Sequence, residues 1–231
     1  MRFVSRQDHS LSDDSPSSQC EPHFGSFYSD PIHSAVPLVA SLVSLPSAAG
    51  TAHLLDLLPP HLSSVYADPQ LLLRSAPTKC KVRPRVLQSS RSEYVNLVKR
   101  LHALGMVCFR TSVRVVNGIF AVRKSGGTLR LIIDARPANA AFTEPDHVVL
   151  PTPDLIARLQ APPGSPIFAA KVDLDNFYHR IRLPEWMREF FGLPPLMSDE
   201  MGLPGDPQQI YPCCTTLPMG WSHSVLVAQD S

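Results

Sequence analysis

Apolar residues recur every three or four positions in one stretch near the middle of the chain, which is the spacing of an amphipathic helix. Ser92 precedes this stretch as a helix cap, and Gly105 follows it as a stop signal. The pattern predicts a helix between these two residues. The apolar positions that define it are Tyr94, Leu97, Val98, Leu101 and Leu104.

Two runs rich in β-branched and apolar residues follow, at residues 119–124 and 129–134. A Ser-Gly-Gly-Thr sequence separates them, and paired glycines between two such runs are typical of a hairpin turn. The sequence therefore predicts a β-hairpin that carries Arg123, Lys124 and Arg130 at its tip.

Shorter elements are predicted in the second half of the chain. The apolar run at 168–174 is typical of a buried strand, and Thr152 followed by Pro153 is a good helix start. The other predicted elements are helices at 154–160 and 186–191, a strand at 210–215, a tight glycine turn at 217–220 and a helix from Ser222 onward.

Composition divides the chain into three regions. Residues 1–36 are rich in Ser, Asp, His and Pro without any period, which predicts a disordered tail. Residues 37–91 are more apolar but are broken by prolines, and they predict a poorly defined helical or linker segment. Residues 92–231 carry the clear patterns, and we expect one folded domain there.

The charges are distributed unevenly along the chain, although the formal net charge is only +1. Residues 74–130 hold 13 Lys or Arg residues and a single acid, whereas residues 131–231 hold 6 bases and 12 acids. A basic segment followed by an acidic one favours a protein that contacts phosphates with one region and metal ions with the other. The alternative is an ordinary surface with uneven charge.

Cysteine and hydropathy patterns exclude several classes. The five cysteines show no CxxC spacing, so a zinc site is not expected, and their odd number argues against a disulfide framework. The N-terminus lacks the apolar run of a signal peptide, and no stretch reaches the ~18 apolar residues of a membrane span. We expect an intracellular protein, cytoplasmic or nuclear, without a membrane partner. The histidines show no ligand spacing, which predicts structural roles for them.

Asp173 is the first candidate for chemistry, because it lies near the end of the predicted strand at 168–174. A buried carboxylate is costly unless it is paired or bound to a cation, so a metal ligand is the natural interpretation. Asp175 would face the same side of an extended strand and could share a Mg²⁺ site. The alternative for Asp175 is a cap of the following turn.

Phe177 and Tyr178 follow these carboxylates directly. In a nucleotide site, an aromatic ring against the sugar would clash with a 2′-hydroxyl and would favour deoxynucleotides. The alternative is that both rings are ordinary core, which the residues by themselves favour.

The predicted hairpin and the glycine turn add further candidates. The three cations at the hairpin tip could hold a triphosphate through charge-assisted contacts, although exposed charges on a hairpin are commonplace. Asp134, Arg136 and Asn139 form either a salt-bridged turn that positions the hairpin or a direct contact to a template. Gly220 either lets the backbone approach a nucleotide at a helix N-terminus or is simple turn chemistry.

Three motifs in this order resemble the fingers and early palm of reverse transcriptases, especially those of retroelements, over roughly residues 92–229. Residues 124–139 resemble the fingers hairpin of that family. Residues 172–181 resemble its first palm motif, and residues 217–224 resemble its second palm motif. The motifs are Lys-x-Gly-Gly-x-Leu-Arg-Leu-Ile-Ile-Asp-x-Arg-x-x-Asn at 124–139, Val-Asp-Leu-x-x-x-Tyr-His-x-Ile at 172–181, and Leu-Pro-Met-Gly-Trp-Ser-x-Ser at 217–224 with Gln229.

The resemblance implies template-directed DNA synthesis from dNTPs on an RNA or DNA template-primer, with Mg²⁺ or Mn²⁺ as cofactor. It implies a catalytic metal ligand at Asp173 and a sugar gate at Tyr178. The remaining implied roles are triphosphate binding by Arg130 with Arg123 or Lys124, nucleotide contacts at Phe177, Met219 and Gly220, and template or structural support by Asp134, Arg136, Asn139, Trp221, Ser222 and Gln229.

The sequence also departs from the family. Relatives carry a further palm hairpin with two aspartates after the helix that begins here at Ser222, and this sequence stops before it. Two-metal catalysis needs more carboxylates than Asp173 supplies, so we expect an incomplete polymerase without turnover. Val225 stands where many relatives have Pro. The expected fold class is α+β, with right-hand polymerase fingers and an incomplete palm after a disordered tail.

Three alternatives remain open from the sequence. One is a non-catalytic nucleic-acid-binding module derived from a retroelement polymerase. Another is a fragment of an RNA-dependent RNA polymerase, against which Tyr178 argues. The third is a chain that does not fold, because half a palm sheet exposes a strand edge and an apolar face.

Overall fold

The computed structural model describes residues 34–76, 83–124, 126–148, 150, 152–162, 164, 166, 168, 170 and 172–231. Residues 1–33 of the predicted tail at 1–36 lie outside these residues. Within them, the strands are β1 (Ala35–Val36), β2 (Ala52–His53), β3 (Val107–Arg110), β4 (Gly118–Arg123), β5 (Leu129–Asp134), β6 (Ile181–Arg182), β7 (Leu196–Met197) and β8 (Gln209–Cys214). The α-helices are α1 (Leu54–Leu57), α2 (Pro60–Ala67), α3 (Pro69–Leu72), α4 (Arg91–Ala103), α5 (Arg136–Asn139), α6 (Pro153–Ala157), α7 (Phe177–Arg180) and α8 (Ser224–Asp230), and the 3₁₀ helices are Ala40–Leu42, Glu185–Phe190 and Asp199–Met201.

The strands form three small sheets, ordered β1-β4-β5, β2-β6 and β3-β8-β7. β4 and β5 pair antiparallel from Gly118 opposite Asp134 to Arg123 opposite Leu129, which confirms the predicted hairpin. β8 lies between β3 and β7 and is antiparallel to both. The fold is therefore mixed α and β, and its division into polymerase fingers and palm stays a prediction.

Helix α4 confirms the helix that the periodicity predicts. Ser90 rather than Ser92 caps it, because the Ser90 hydroxyl accepts a hydrogen bond from the N–H of Glu93 at 3.1 Å. Glu93 is the third residue of the helix, and a capping side chain typically accepts a hydrogen bond from the N–H at that position. The face of α4 that enters the core consists of Tyr94, Leu97, Val98 and Leu101.

The segment between residues 37 and 76, for which the sequence predicts only helical or linker structure, packs into the core. Its backbone is tied to α4, where the carboxylate of Glu93 accepts a hydrogen bond from the N–H of Ala40 at 2.5 Å. Ala35 and Val36, which the sequence assigns to the disordered tail, form β1 instead, because they pair with β4. The segment's most buried side chains are Leu38, Leu54, Tyr66 and Leu72.

The buried strand predicted at 168–174 is wrong for the described part of that range, which forms no strand. Phe168, Val172 and Leu174 are 89 %, 81 % and 62 % exposed. An apolar run becomes a buried strand only where a neighbouring strand and a covering layer are present. None of the described strands pairs with this segment, so its apolar side chains have no sheet face to cover.

The remaining elements differ from their predictions mainly at their ends. α6 is shorter than the predicted helix at 154–160, although Thr152 caps it as expected by accepting a hydrogen bond from the N–H of Leu155 at 3.3 Å. The predicted helix at 186–191 is the 3₁₀ helix Glu185–Phe190, and β8 is the predicted strand at 210–215. No helix within the described ranges is long and apolar enough to cross a membrane.

Candidate functional site

A cleft of about 320 Å³ lies where the β4–β5 hairpin faces the segment before α7. We call the hairpin side, with Lys124, Arg130 and Met219, the hairpin wall. The opposite side, residues 173–178, is the acidic wall. The described residues that line the cleft are Lys124, Arg130, Asp173, Leu174, Asp175, Asn176, Phe177, Tyr178 and Met219.

The hairpin wall is held by a regular ladder of backbone pairs. Arg130 lies opposite Val122 in the β4–β5 register, and the N–H of Lys124 donates to the carbonyl of Thr128 at 2.8 Å, which closes the turn. These pairs place both cationic side chains at the cleft. Arg123 lies at the end of β4 and borders a neighbouring groove, which Lys124 also lines. Arg123 is not among the described residues that line the cleft.

The acidic wall is open to solvent. Asp173 and Asp175 are both exposed, and Asp173 belongs to no helix or strand. Asp173 is therefore not the buried carboxylate that the sequence predicts, and no burial cost has to be offset by a cation. Asp175 accepts a hydrogen bond from the side-chain amide of Asn176 at 2.8 Å and lies 3.9 Å from the guanidinium of Arg180.

The described residues contain no group of three or more His, Cys, Asp or Glu side chains arranged to hold a metal ion. Asp173 and Asp175 border the cleft as two exposed carboxylates. Mg²⁺ is commonly bound by one or two carboxylates together with water and substrate phosphates, so this pair fits that kind of site and not an all-protein cage.

The aromatic residues of the acidic wall open helix α7. Phe177 and Tyr178 are half-buried and meet edge to face, with ring centroids 5.6 Å apart and planes at 75°. Asn176 precedes them with a φ of 52°, a left-handed conformation that Asn tolerates better than most residues. This turn directs the chain from the carboxylates into the helix that presents both rings.

His179, the next residue of α7, is buried. Burial lowers the pKa of His179 to about 4, and the nearby charge of Lys124 adds to the effect. The ring is therefore neutral near pH 7. The sequence predicts a structural role for this histidine, and its burial is consistent with one.

The turn that carries Met219 is fixed against β5. The N–H of Ile133 donates to the carbonyl of Met219 at 3.1 Å. A Cβ at Gly220 would lie 2.1 Å from the carbonyl oxygen of Ile133, and Gly220 has a φ of +122°. Only glycine fits both constraints, so turn geometry accounts for this residue without any ligand.

Asn139, the last residue of α5, holds the same turn through both ends of its amide. Its Nδ2 donates to the carbonyl of Gly220 at 3.3 Å, and its Oδ1 accepts from the N–H of Ser222 at 3.0 Å. Asn139 therefore positions the turn in this structure, and a direct contact to a template stays a prediction.

Asp134 and Arg136 form a salt-bridged turn. The sequence leaves open either such a turn or a direct contact to a template. Their side chains meet at 2.6 and 2.7 Å, and Asp134 Oδ2 also accepts from the backbone N–H of Arg85 at 2.6 Å. Burial raises the pKa of Asp134, but the Arg136 guanidinium and the Arg85 N–H more than offset this and lower the pKa overall. The carboxylate is thus a charged anchor at the base of the hairpin.

Trp221 lies in the aromatic core, whereas Ser222 and Gln229 lie on the surface. The Trp221 ring stacks on that of His223 with centroids 4.7 Å apart and planes at 24°. A structural role for Trp221 is visible, and template support by Ser222 and Gln229 stays a prediction.

A buried network around His223 was missed by the sequence analysis. The Tyr66 hydroxyl donates to Nδ1 of His223 at 2.9 Å, and the Nε2–H of His223 donates to the carbonyl of Thr143 at 2.9 Å. Burial lowers the pKa of His223, which agrees with a neutral ring in this arrangement. Tyr66 and His223 are 157 positions apart, so no local pattern links them.

No protein-family model matches the chain, and no curated protein matches it. Among solved structures, the chain is similar to the foamy viral protease-reverse transcriptase in complex with double-stranded DNA, with 15 % sequence identity and a TM-score of 0.42. The similarity covers 76 % of this chain and 33 % of that one. The chain thus spans about a third of that protein. The likeness is weak.

Proposed function

We propose that the chain is part of a reverse-transcriptase-like polymerase, and that its cleft binds a deoxynucleoside triphosphate. One observation supports this most: Lys124, Arg130 and Met219 line the same cleft as residues 173–178. These come from the three motifs that resemble the polymerase family. The order of the motifs along the chain does not by itself require that these residues line one cleft, so their proximity in space is a separate observation in support of the proposal.

The hairpin wall supplies the charge that a triphosphate requires. Lys124 and Arg130 are cations on a paired hairpin, so their backbone is in place before a ligand arrives. Arg provides a planar set of donors and Lys a point charge, and the two together suit a polyphosphate. Arg123, which borders the adjacent groove, contributes charge at longer range.

The acidic wall supplies groups for the metal and the sugar. Asp173, with Asp175 as a second ligand, would hold Mg²⁺ or Mn²⁺ between protein and phosphates. The bound metal would neutralise phosphate charge. The rings of Phe177 and Tyr178 would lie against the sugar, where Tyr178 would exclude a 2′-hydroxyl and so favour dNTPs over NTPs.

We further propose that these 231 residues by themselves bind nucleotide without turnover. The carboxylates among the described lining residues are Asp173 and Asp175, and both are exposed. Two-metal phosphoryl transfer requires carboxylates that fix both ions in one geometry. An exposed pair on a segment without regular structure is a poor support for that.

Equilibrium binding of a dNTP in the presence of Mg²⁺ tests the proposal. The Arg130→Ala variant should weaken binding on the order of tenfold, because it removes a charge-assisted contact. Arg114→Ala is the matched control. Arg114 forms an ion pair with Glu189 at 2.9 Å, and it is not among the described residues that line the cleft. Equal dNTP affinity in the Arg130→Ala variant and the unmodified chain would contradict the proposal, as would no binding at all.

A second candidate function is nucleic-acid binding without chemistry, favoured by the 13 Lys or Arg residues between 74 and 130. An RNA or DNA template-primer would be the partner in either case. This candidate predicts affinity that falls steeply with salt and is independent of dNTP. Two results together would favour nucleic-acid binding over the dNTP site: the unmodified chain does not bind dNTP, and the Arg130→Ala variant still binds the template.

A further inference from the structure

Three free cysteines lie together on the β3-β8-β7 sheet, away from the cleft: Cys108 on β3, and Cys213 and Cys214 on β8. Cys108 is partly exposed, whereas Cys213 and Cys214 are buried. Successive residues of a strand face opposite sides of the sheet, so Cys213 and Cys214 point in opposite directions. The sheet therefore presents a pair of thiols on one face and a single thiol on the other.

Cys108 and Cys213 are directly opposite each other in the β3–β8 register. The N–H of Thr215 donates to the carbonyl of Met106 at 2.9 Å, and hydrogen-bonded pairs alternate along an antiparallel ladder. Cys108 lies two positions after Met106, and Cys213 lies two positions before Thr215. Cys108 and Cys213 are therefore also a hydrogen-bonded pair, for which the Cα atoms are about 5.5 Å apart. This separation lies within the range that a disulfide bond spans.

Two guanidinium groups stand beside this thiol pair. Arg110 shares the face of β3 with Cys108, and Arg188 comes from the adjacent 3₁₀ helix. Both form ion pairs with Glu185 through their terminal nitrogens. Their Nε atoms are buried, and neither has a hydrogen-bond partner among the described residues.

The environment separates the two thiols in acidity. The hydrogen bond from Cys213 lowers the pKa of Cys108, with Arg188 and Arg110 acting in the same direction against burial and Glu185. The same hydrogen bond, followed by burial, raises the pKa of Cys213. Cys108 is thus the more accessible and the more acidic thiol of the pair.

We propose that Cys108 is a site of oxidative modification by peroxides, and that Cys213 resolves it into a cross-strand disulfide. The Cys108 thiolate attacks one peroxide oxygen, the O–O bond breaks, and hydroxide leaves, which gives a sulfenic acid at Cys108. The Cys213 sulfur then attacks the Cys108 sulfur, and the sulfenic oxygen leaves as water with the Cys213 proton. Both cysteines are oxidised by one electron each, and one peroxide is reduced.

The test is treatment of the full chain with hydrogen peroxide, followed by peptide mapping of disulfides. A Cys20→Ser, Cys80→Ser background removes the cysteines that lie outside the described residues. We expect a Cys108–Cys213 cross-link, and the same cross-link in Cys214→Ser, the matched control on the opposite face. A cross-link through Cys214, or none at a peroxide concentration that oxidises the unfolded chain, would overturn the proposal.

The order of the two steps is tested with the Cys213→Ser variant. Cys108 should then accumulate as sulfenic acid, which dimedone traps, whereas Cys108→Ser should leave Cys213 unmodified. A measurement without substitution guards against misfolded variants: iodoacetamide should label Cys108 in the native chain on the order of tenfold faster than a free cysteine peptide at neutral pH. Labelling of Cys213 before Cys108 would contradict the assignment.

Discussion

The two walls of the cleft differ in how they are held. The hairpin wall rests on a six-residue ladder and on the Asp134–Arg136 salt bridge. In the described part of the acidic wall, the hydrogen bonds of Asp175 come from its own neighbours, Asn176 and Arg180. A ligand would find the cations already positioned, but it would have to order the carboxylates itself, at a cost in conformational entropy.

This difference separates stability from binding. Changes that loosen the hairpin wall should lower the free energy of unfolding, because they disturb packed and paired atoms. Changes to the exposed acidic wall should leave stability intact and alter ligand binding alone.

Gly220→Ala should have the largest effect. The added Cβ would meet the Ile133 carbonyl at 2.1 Å at a positive φ, so we expect a loss of about 2–4 kcal/mol in the free energy of unfolding, measured with urea. Gly127→Ala is the control, because Gly127 also has a positive φ but no atom within 4 Å of the added Cβ. It should cost about 1 kcal/mol. Equal losses would contradict the close approach of the turn to β5.

Asp134→Asn should cost about 1–2 kcal/mol, because it removes the charge that pairs with Arg136. The pKa of Asp134 is lowered in the folded chain, so its charge stabilises the fold above the unfolded pKa of about 4, and this stability is lost as the pH falls through the folded value. Urea unfolding at several pH values should show the variant and the unmodified chain converging in acid. A constant difference would argue against the salt bridge as the cause.

Tyr178→Ala addresses the acidic wall through selectivity. Competition between dATP and ATP should show the preference for dATP reduced on the order of tenfold, because the ring that would exclude the 2′-hydroxyl is gone. Tyr211→Ala, a matched truncation on β8 outside the cleft, should keep the preference. Unchanged discrimination in Tyr178→Ala would remove the sugar gate and would reopen the RNA-dependent RNA polymerase alternative.

Asp173→Asn should have the smallest effect on stability, within about 0.5 kcal/mol, because the side chain is exposed. Its effect should appear when dNTP affinity is compared with and without Mg²⁺. We expect the metal to strengthen binding in the unmodified chain and much less in the variant. Asp199→Asn, on a distant 3₁₀ helix, should preserve the metal effect.

The parts of the fold that the sequence predicts are those with local causes. α4 follows from a buried face that repeats every three or four residues, and the hairpin follows from two β-rich runs around Gly126 and Gly127. The failed strand at 168–174 shows the limit of this reasoning. Its apolar composition is local, but its burial depends on a partner strand that no local pattern specifies.

The candidate site likewise combines features that follow from the local sequence with features that depend on distant residues. Residue types and motif order pointed to Lys124, Arg130, Asp173 and Tyr178, and the structure brings these four to one cleft. It also shows that turn geometry requires Gly220, a reason that depends on the distant β5. The contact of Tyr66 with His223 is likewise non-local, so it could not be read from the chain.

Hydrogen exchange with and without dNTP and Mg²⁺ tests the central claim most directly, because it reports on both walls in one experiment. Exchange of peptides that cover residues 172–180 should slow when nucleotide binds, while the paired strands β4 and β5 should change little, since their amides are already bonded. Unchanged exchange at 172–180 in the presence of bound nucleotide, or slowing confined to regions outside the cleft, would contradict a nucleotide site formed by the two walls.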